Sequence, residues 1–218
     1  MKDRILSALE DTPLQSYETL GRLGATHRAQ ALEAAGEALD SPNEKTRRNA
    51  VTFINQLEAS SDFVDRLIVH LLNDKSAGVR FSCAVSLMRV DEPSVDKAYI
   101  QALHDSSEKI IQLACVQLGF RGGDDAKTAL FQILSHPSWN VRLAACKAFI
   151  TLKTVDERVL SALETMSREP ESAKYDAGID ESNRISETVG IPDDPLETWG
   201  KMATIIEEAH QIAANQHG

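Results

Sequence analysis

Apolar residues recur along this chain with two periods, one of a helical turn and one several times longer. Four twelve-residue segments share one arrangement: 46–57 (TRRNAVTFINQL), 79–90 (VRFSCAVSLMRV), 110–121 (IIQLACVQLGFR) and 141–152 (VRLAACKAFITL), starting 33, 31 and 31 residues apart. A unit near that length cannot bury its apolar face alone, so successive units must stack. Leu39, Leu72, Leu103 and Leu134 give a common origin. Seven residues on stand Thr46, Val79, Ile110 and Val141; eleven on, Ala50, Cys83, Ala114 and Ala145; fifteen on, Ile54, Leu87, Leu118 and Phe149. At 100° per residue these positions, with the eighteenth, fall on one stripe of an amphipathic helix. The small residue in mid-stripe lets a neighbouring helix come close.

Turn-forming residues separate each leucine from its helix: SPNEK, DKSAG, DSSEK and HPSWN. Ahead of each leucine a first helix is predicted, over 27–40, 63–73, 94–104 and 125–135, with Asp62, Ser94 and Asp124 or Asp125 as N-caps. Residues 1–24 read as a degenerate capping repeat, weakened in its second helix by Gly21 and Gly24, and 25–166 as the repeats proper, with another first helix starting at 155. Residues 167–195 lack apolar periodicity, hold several prolines and glycines and many acids, and are expected to be a flexible acidic loop. An amphipathic helix over 196–214 should follow, with Leu196, Trp199, Ala203, Ile206 and His210 on one face and Ile212 and Ala213 beyond. The fold class that follows is all-α: a right-handed α-solenoid of stacked helix pairs with an extra C-terminal helix.

The turn and helix together resemble the HEAT repeats, particularly the short PBS-lyase HEAT-like type, whose motif runs L-x-D, a turn, then V-R-x-x-A-A-x-x-L. Leu72-Asn73-Asp74 with Val79-Arg80 fits best, and Val141-Arg142 nearly as well. Leu103-His104-Asp105 keeps the acid but has Ile111 in place of arginine, and Arg47 keeps the arginine with Thr46 in place of valine. The resemblance covers 28–154. It implies that Asp74, Asp105, Arg47, Arg80 and Arg142 tie turn to helix. It also implies an alternative function, since some proteins with such repeats attach, remove or isomerise bilins as phycobiliprotein lyases.

Charge and chemistry narrow the function. The net charge is −10, of which residues 155–218 carry −9 (5 basic, 14 acidic). No clustered positive field of the kind nucleic acid requires is visible, and no run approaches transmembrane length. A soluble, cytoplasmic protein is expected, and a basic partner would suit the acidic end. Cys83, Cys115 and Cys146 occupy buried repeat positions and read as reduced packing residues. The six histidines show no metal spacing such as H-E-x-x-H, and Gly119 with Gly122-Gly123 reads as a helix end. The segment 176–181 (DAGIDE) lacks the ligand spacing of an EF-hand. Trp139 reads as a packing residue of the turn. No catalytic, cofactor or metal residue is assigned.

The side of the second helices opposite the core carries the main signal. The first of the four is polar there (Arg48, Thr52, Asn55, Gln56). The next three carry Phe81, Val85 and Met88, then Val116 and Phe120, then Leu143, Lys147 and Ile150. A largely apolar strip exceeds the scattered surface hydrophobes that need no explanation. The expected function is therefore a scaffold or adaptor that holds another protein on its inner wall, in helix-in-groove fashion, under regulation by the C-terminal helix.

Overall fold

The computed structural model describes residues 1–11, 20–22, 26–169 and 202–216. Its regular elements are helical: α1 (Lys2–Asp11), α2 (Arg28–Leu39), α3 (Glu44–Gln56), a 3-10 turn (Ser60–Phe63), α4 (Val64–Asn73), α5 (Ala77–Leu87), α6 (Pro93–Ala102), α7 (Glu108–Arg121), α8 (Asp124–Ile133), α9 (Trp139–Thr151), α10 (Glu157–Arg168) and α11 (Met202–Asn215). They are the helix pairs that the spacing predicts, in an all-α, HEAT-like fold. Two compact units divide the chain, Met1–Ala98 and Tyr99–Gly218, with the division inside α6.

In the first unit α2 pairs with α3 and α4 with α5, while the second helices α3 and α5 meet each other and α1 packs on α2 and α3. The stripe is realised as drawn. Thr46, Ala50, Ile54, Val79, Cys83 and Leu87 are all 2% exposed or less. Each large apolar member contributes roughly 1.5–3 kcal/mol by leaving water. The anchor leucines serve unevenly: Leu39 is buried, but Leu72 is half-buried and Leu71 beside it takes the core position. In the segment expected to be a capping repeat Leu9 and Leu20 are buried, and the Leu9 carbonyl accepts from Asn49 Nδ2 at 2.9 Å. Residues 12–19 and 23–25 lie outside the described residues.

In the second unit α7 packs along α9, α8 touches both, and α10 lies on α9. The same stripe positions, Ile110, Ala114, Leu118, Val141, Ala145 and Phe149, are buried. Gly119 corrects the sequence reading. It sits inside α7, where a Cβ would come within 2.9 Å of Ala148 Cα on α9. The helix ends instead at Gly122 and Gly123, whose φ of +77° and +96° suits glycine. Trp139 is the first residue of α9, 1% exposed, and its Nε1 donates to the Met166 carbonyl at the end of α10 at 3.3 Å. Phe131 of α8 stacks against Phe149 (centroids 4.4 Å apart), and the Arg158 guanidinium lies 3.4 Å from its ring centroid, seating α10.

Three expected N-caps are not caps. Phe63 precedes α4 behind the 3-10 turn, Gly123 precedes α8, and α6 already contains Ser94. Asp156 does cap α10, accepting from the Arg158 and Val159 N–H groups. The C-terminal helix is found over Met202–Asn215, packed on α10 and α9 as a second helix of a further repeat would be. Its buried line is Met202 and Ala209, flanked by the half-buried Ile205, Ile206, Ile212 and Ala213. Ala203 and His210, expected on that face, are exposed, so the face is turned by about one residue. Leu196, Trp199, the DAGIDE segment and most of the acidic stretch lie outside the described residues.

Candidate functional site: the flank of the second helices

The turns fix how the second helices are presented. Two residues past each anchor, a side chain accepts the N–H of the residue before the helix. Ser41 Oγ takes Asn43 N–H at 3.2 Å, Asp74 takes Ser76 at 2.9 Å, Asp105 takes Ser107 at 2.7 Å and His136 Nδ1 takes Ser138 at 3.0 Å. One geometry is thus held by three kinds of side chain. The repeat arginine closes it from the helix side. Arg47 Nη1 donates to the Ser41 and Pro42 carbonyls, Arg80 Nη1 to Asp74 and Lys75, and Arg142 Nη1 to His136 and Pro137.

The same arginines also reach forward. Arg47 grips Asp74 of the next repeat in a two-pronged pair, both contacts at 2.7 Å, with the two side chains 13% and 3% exposed. Arg142 holds Glu169 at 2.6 Å to each oxygen. Burial works against ionising Asp74, but Arg47, the Ser76 N–H and His70 outweigh it and lower its carboxyl from 3.8 to about 2. At the interface where Ile111 replaces the arginine, the register places His136 where the acid would stand. Cation and carboxylate are missing together there, so neither is left unpaired.

The cysteines belong to packing. All three are buried and unpaired with one another, and burial pushes their thiols up, Cys115 and Cys146 to about 12. Protonated buried thiols are poor nucleophiles and ligands. A thiol reagent at neutral pH should leave them unlabelled in the native protein and label all three in denaturant, scored by disulfide-exchange absorbance; fast native labelling of any one would contradict their burial. Among the described residues no group of His, Cys, Asp and Glu is placed to hold a metal ion, and no helix is long and apolar enough to cross a membrane.

The eight residues of the expected strip separate by exposure. In the first unit Phe81 is 4% exposed, while Val85 and Met88 are half-buried. In the second, Leu143 is 5% exposed, Val116, Lys147 and Ile150 are half-buried, and Phe120 is 73% exposed. Phe81 and Leu143 are therefore core residues and not part of a free surface. The polar flank of α3 is solvated as expected, with Arg48 and Gln56 exposed.

Gly119 and Ala148 decide the local geometry. They meet at the α7–α9 contact line, so Val116 and Phe120 on α7 project to the same flank as Lys147 and Thr151 on α9. The small pair brings the two helices close and leaves Phe120 standing outward beside them. The only other large apolar side chains so exposed among the described residues are Met1 and Val69.

The fold is that of an α-helical repeat protein. Residues 95–178 match the family model of HEAT repeats, in line with the HEAT-like fold. The match is to the general repeat and not to the PBS-lyase type. No curated relative matches the chain. Among solved structures, human deoxyhypusine hydroxylase in complex with glycerol is similar at 18% identity and a TM-score of 0.41, over 81% of this chain and 70% of that one.

Proposed function

We propose that the protein is an interaction module whose second unit holds a partner protein on the flank of α7 and α9. HEAT repeats generally mediate protein–protein contact, and the observation carrying the finer reading is Phe120, 73% exposed on a helix whose other large apolar side chains are mostly buried. Val116, Lys147 and Ile150 extend the contact area within the second unit. Large aromatic side chains at the centre of such patches contribute most of the binding energy.

Because Phe120 is solvated, Phe120→Asp should leave unfolding free energy within about 0.5 kcal/mol of the parent. It should nevertheless abolish capture of a dominant partner that both the parent and Val69→Asp retain. Equal capture by all three proteins would sink the reading. Phe81→Glu and Leu143→Glu are unsuitable probes, since each would put a charge into the core.

A further inference from the structure

We infer that the turn ahead of α9 is an acid-sensitive latch, closed by neutral His136 and opened when that side chain takes up a proton. The Ser138 N–H stands 3.0 Å from His136 Nδ1. A backbone N–H can only donate, so Nδ1 is the acceptor and the ring proton sits on Nε2. An imidazolium carries a proton on both nitrogens and accepts nothing. Protonating His136 therefore leaves two donors facing each other, whichever way the ring is turned.

The other three turns do not share this chemistry. Ser41 accepts through its hydroxyl, and Asp74 and Asp105 through their carboxylates. The Asp74 carboxyl is lowered to about 2 and stays an acceptor far into acid. A free histidine titrates near about 6.5, so of the four only the α9 turn loses its acceptor in mild acid.

The charges around the turn do not make up for that loss. Arg142 Nη1 donates to the His136 carbonyl at 2.8 Å and to that of Pro137, a fixed cation that opposes a second one. The positive end of the α9 dipole opposes it too. Glu108 of α7 accepts from Ser138 Oγ at 2.7 Å and favours a cation, but Lys109 follows it in α7 with the opposite charge. Glu169, at the end of α10, is taken up by Arg142, and Ile111 brings no charge where the motif has arginine. The unfolded chain has no such bond to give up. It therefore binds more protons than the folded chain below about pH 6.5, and stability falls as pH falls through that range.

The test compares the full chain with His136→Asn and His136→Asp, which keep an oxygen for the Ser138 N–H and do not titrate in mild acid. Urea unfolding read by circular dichroism gives each folding constant at about pH 7.5 and about pH 5. The parent should lose about tenfold more of its folding constant than either variant, a comparison in which the other histidines cancel. Two-bond proton–nitrogen correlation spectra of the parent at about pH 7.5 should show His136 protonated at Nε2 alone. At about pH 5 the Ser138 amide should lose exchange protection while the Ser107 amide, held by Asp105, keeps it. Three results each overturn the latch: an equal loss of stability in all three proteins, a His136 protonated at Nδ1 at the higher pH, or a Ser138 amide equally protected at both. The two spectroscopic readings need no variant, so they decide the matter even where a substitution prevents folding.

Discussion

Arg47→Ala should cost about 3–5 kcal/mol of unfolding free energy, the largest loss expected from any single polar substitution here. The change strands the Asp74 carboxylate, 3% exposed, with only the Ser76 N–H and His70 as partners. It also removes the donor to the Ser41 and Pro42 carbonyls. Chemical denaturation read by circular dichroism measures the loss, and a cost below about 1 kcal/mol would show the pair to be worth no more than a surface one.

Acid gives a second reading of the same pair. With the carboxyl held at about 2 against 3.8, the folded chain binds fewer protons than the unfolded one between those values. The pair's contribution is therefore full above pH about 4 and lost as pH falls toward 2. In Arg47→Ala the stranded carboxyl gains by taking up a proton, so the gap between variant and parent should narrow in acid. The chain's own alternative offers a rescue: Arg47→Ile with Asp74→His copies the Ile111 and His136 combination. It should recover about half the loss, because no charge is left unpaired and His can still accept the Ser76 N–H.

Gly119→Ala should destabilise by about 1–2 kcal/mol, although alanine is the better helix former. Exchanging a helical glycine for alanine ordinarily gains about 1 kcal/mol. Here the new Cβ would lie 2.9 Å from Ala148 Cα and 3.3 Å from its carbonyl oxygen, so backbone would have to move. Overpacking of that kind costs roughly 1–3 kcal/mol, and more when the obstacle cannot rotate away. Gly21→Ala, with nothing within 4 Å, is the control and should not lose stability. A stabilised Gly119→Ala in thermal denaturation would mean that α7 and α9 do not approach as closely as described.

The sequence made most of the frame legible and less of the site. Four anchor leucines and three stripe positions sufficed to place the second helices, because a 3.6-residue period and a thirty-odd-residue period agree at every copy. The strip was harder. Helices α7 and α9 are apolar around most of their circumference, so residue type alone could not separate the buried Leu143 from the solvated Phe120. Neighbours distant in the chain decide that. Gly119 was read as a stop because glycine near a Gly-Gly pair usually is one, and only the approach of Ala148 shows its other use. The one-residue turn of the α11 face has a similar origin. Ala203 and Ala209 are equivalent in hydrophobicity, and docking on α9 and α10 chooses between them. Ile111 and His136 looked like two separate departures from the motif; the Arg47–Asp74 geometry joins them into one.

Glu169 closes the described part of α10 under the grip of Arg142, and on the far side of residues 170–201 the helix α11 is held against α9 and α10, with Gln216 Nε2 donating to the Lys153 carbonyl. Both ends of that stretch are thus moored to the same small set of helices.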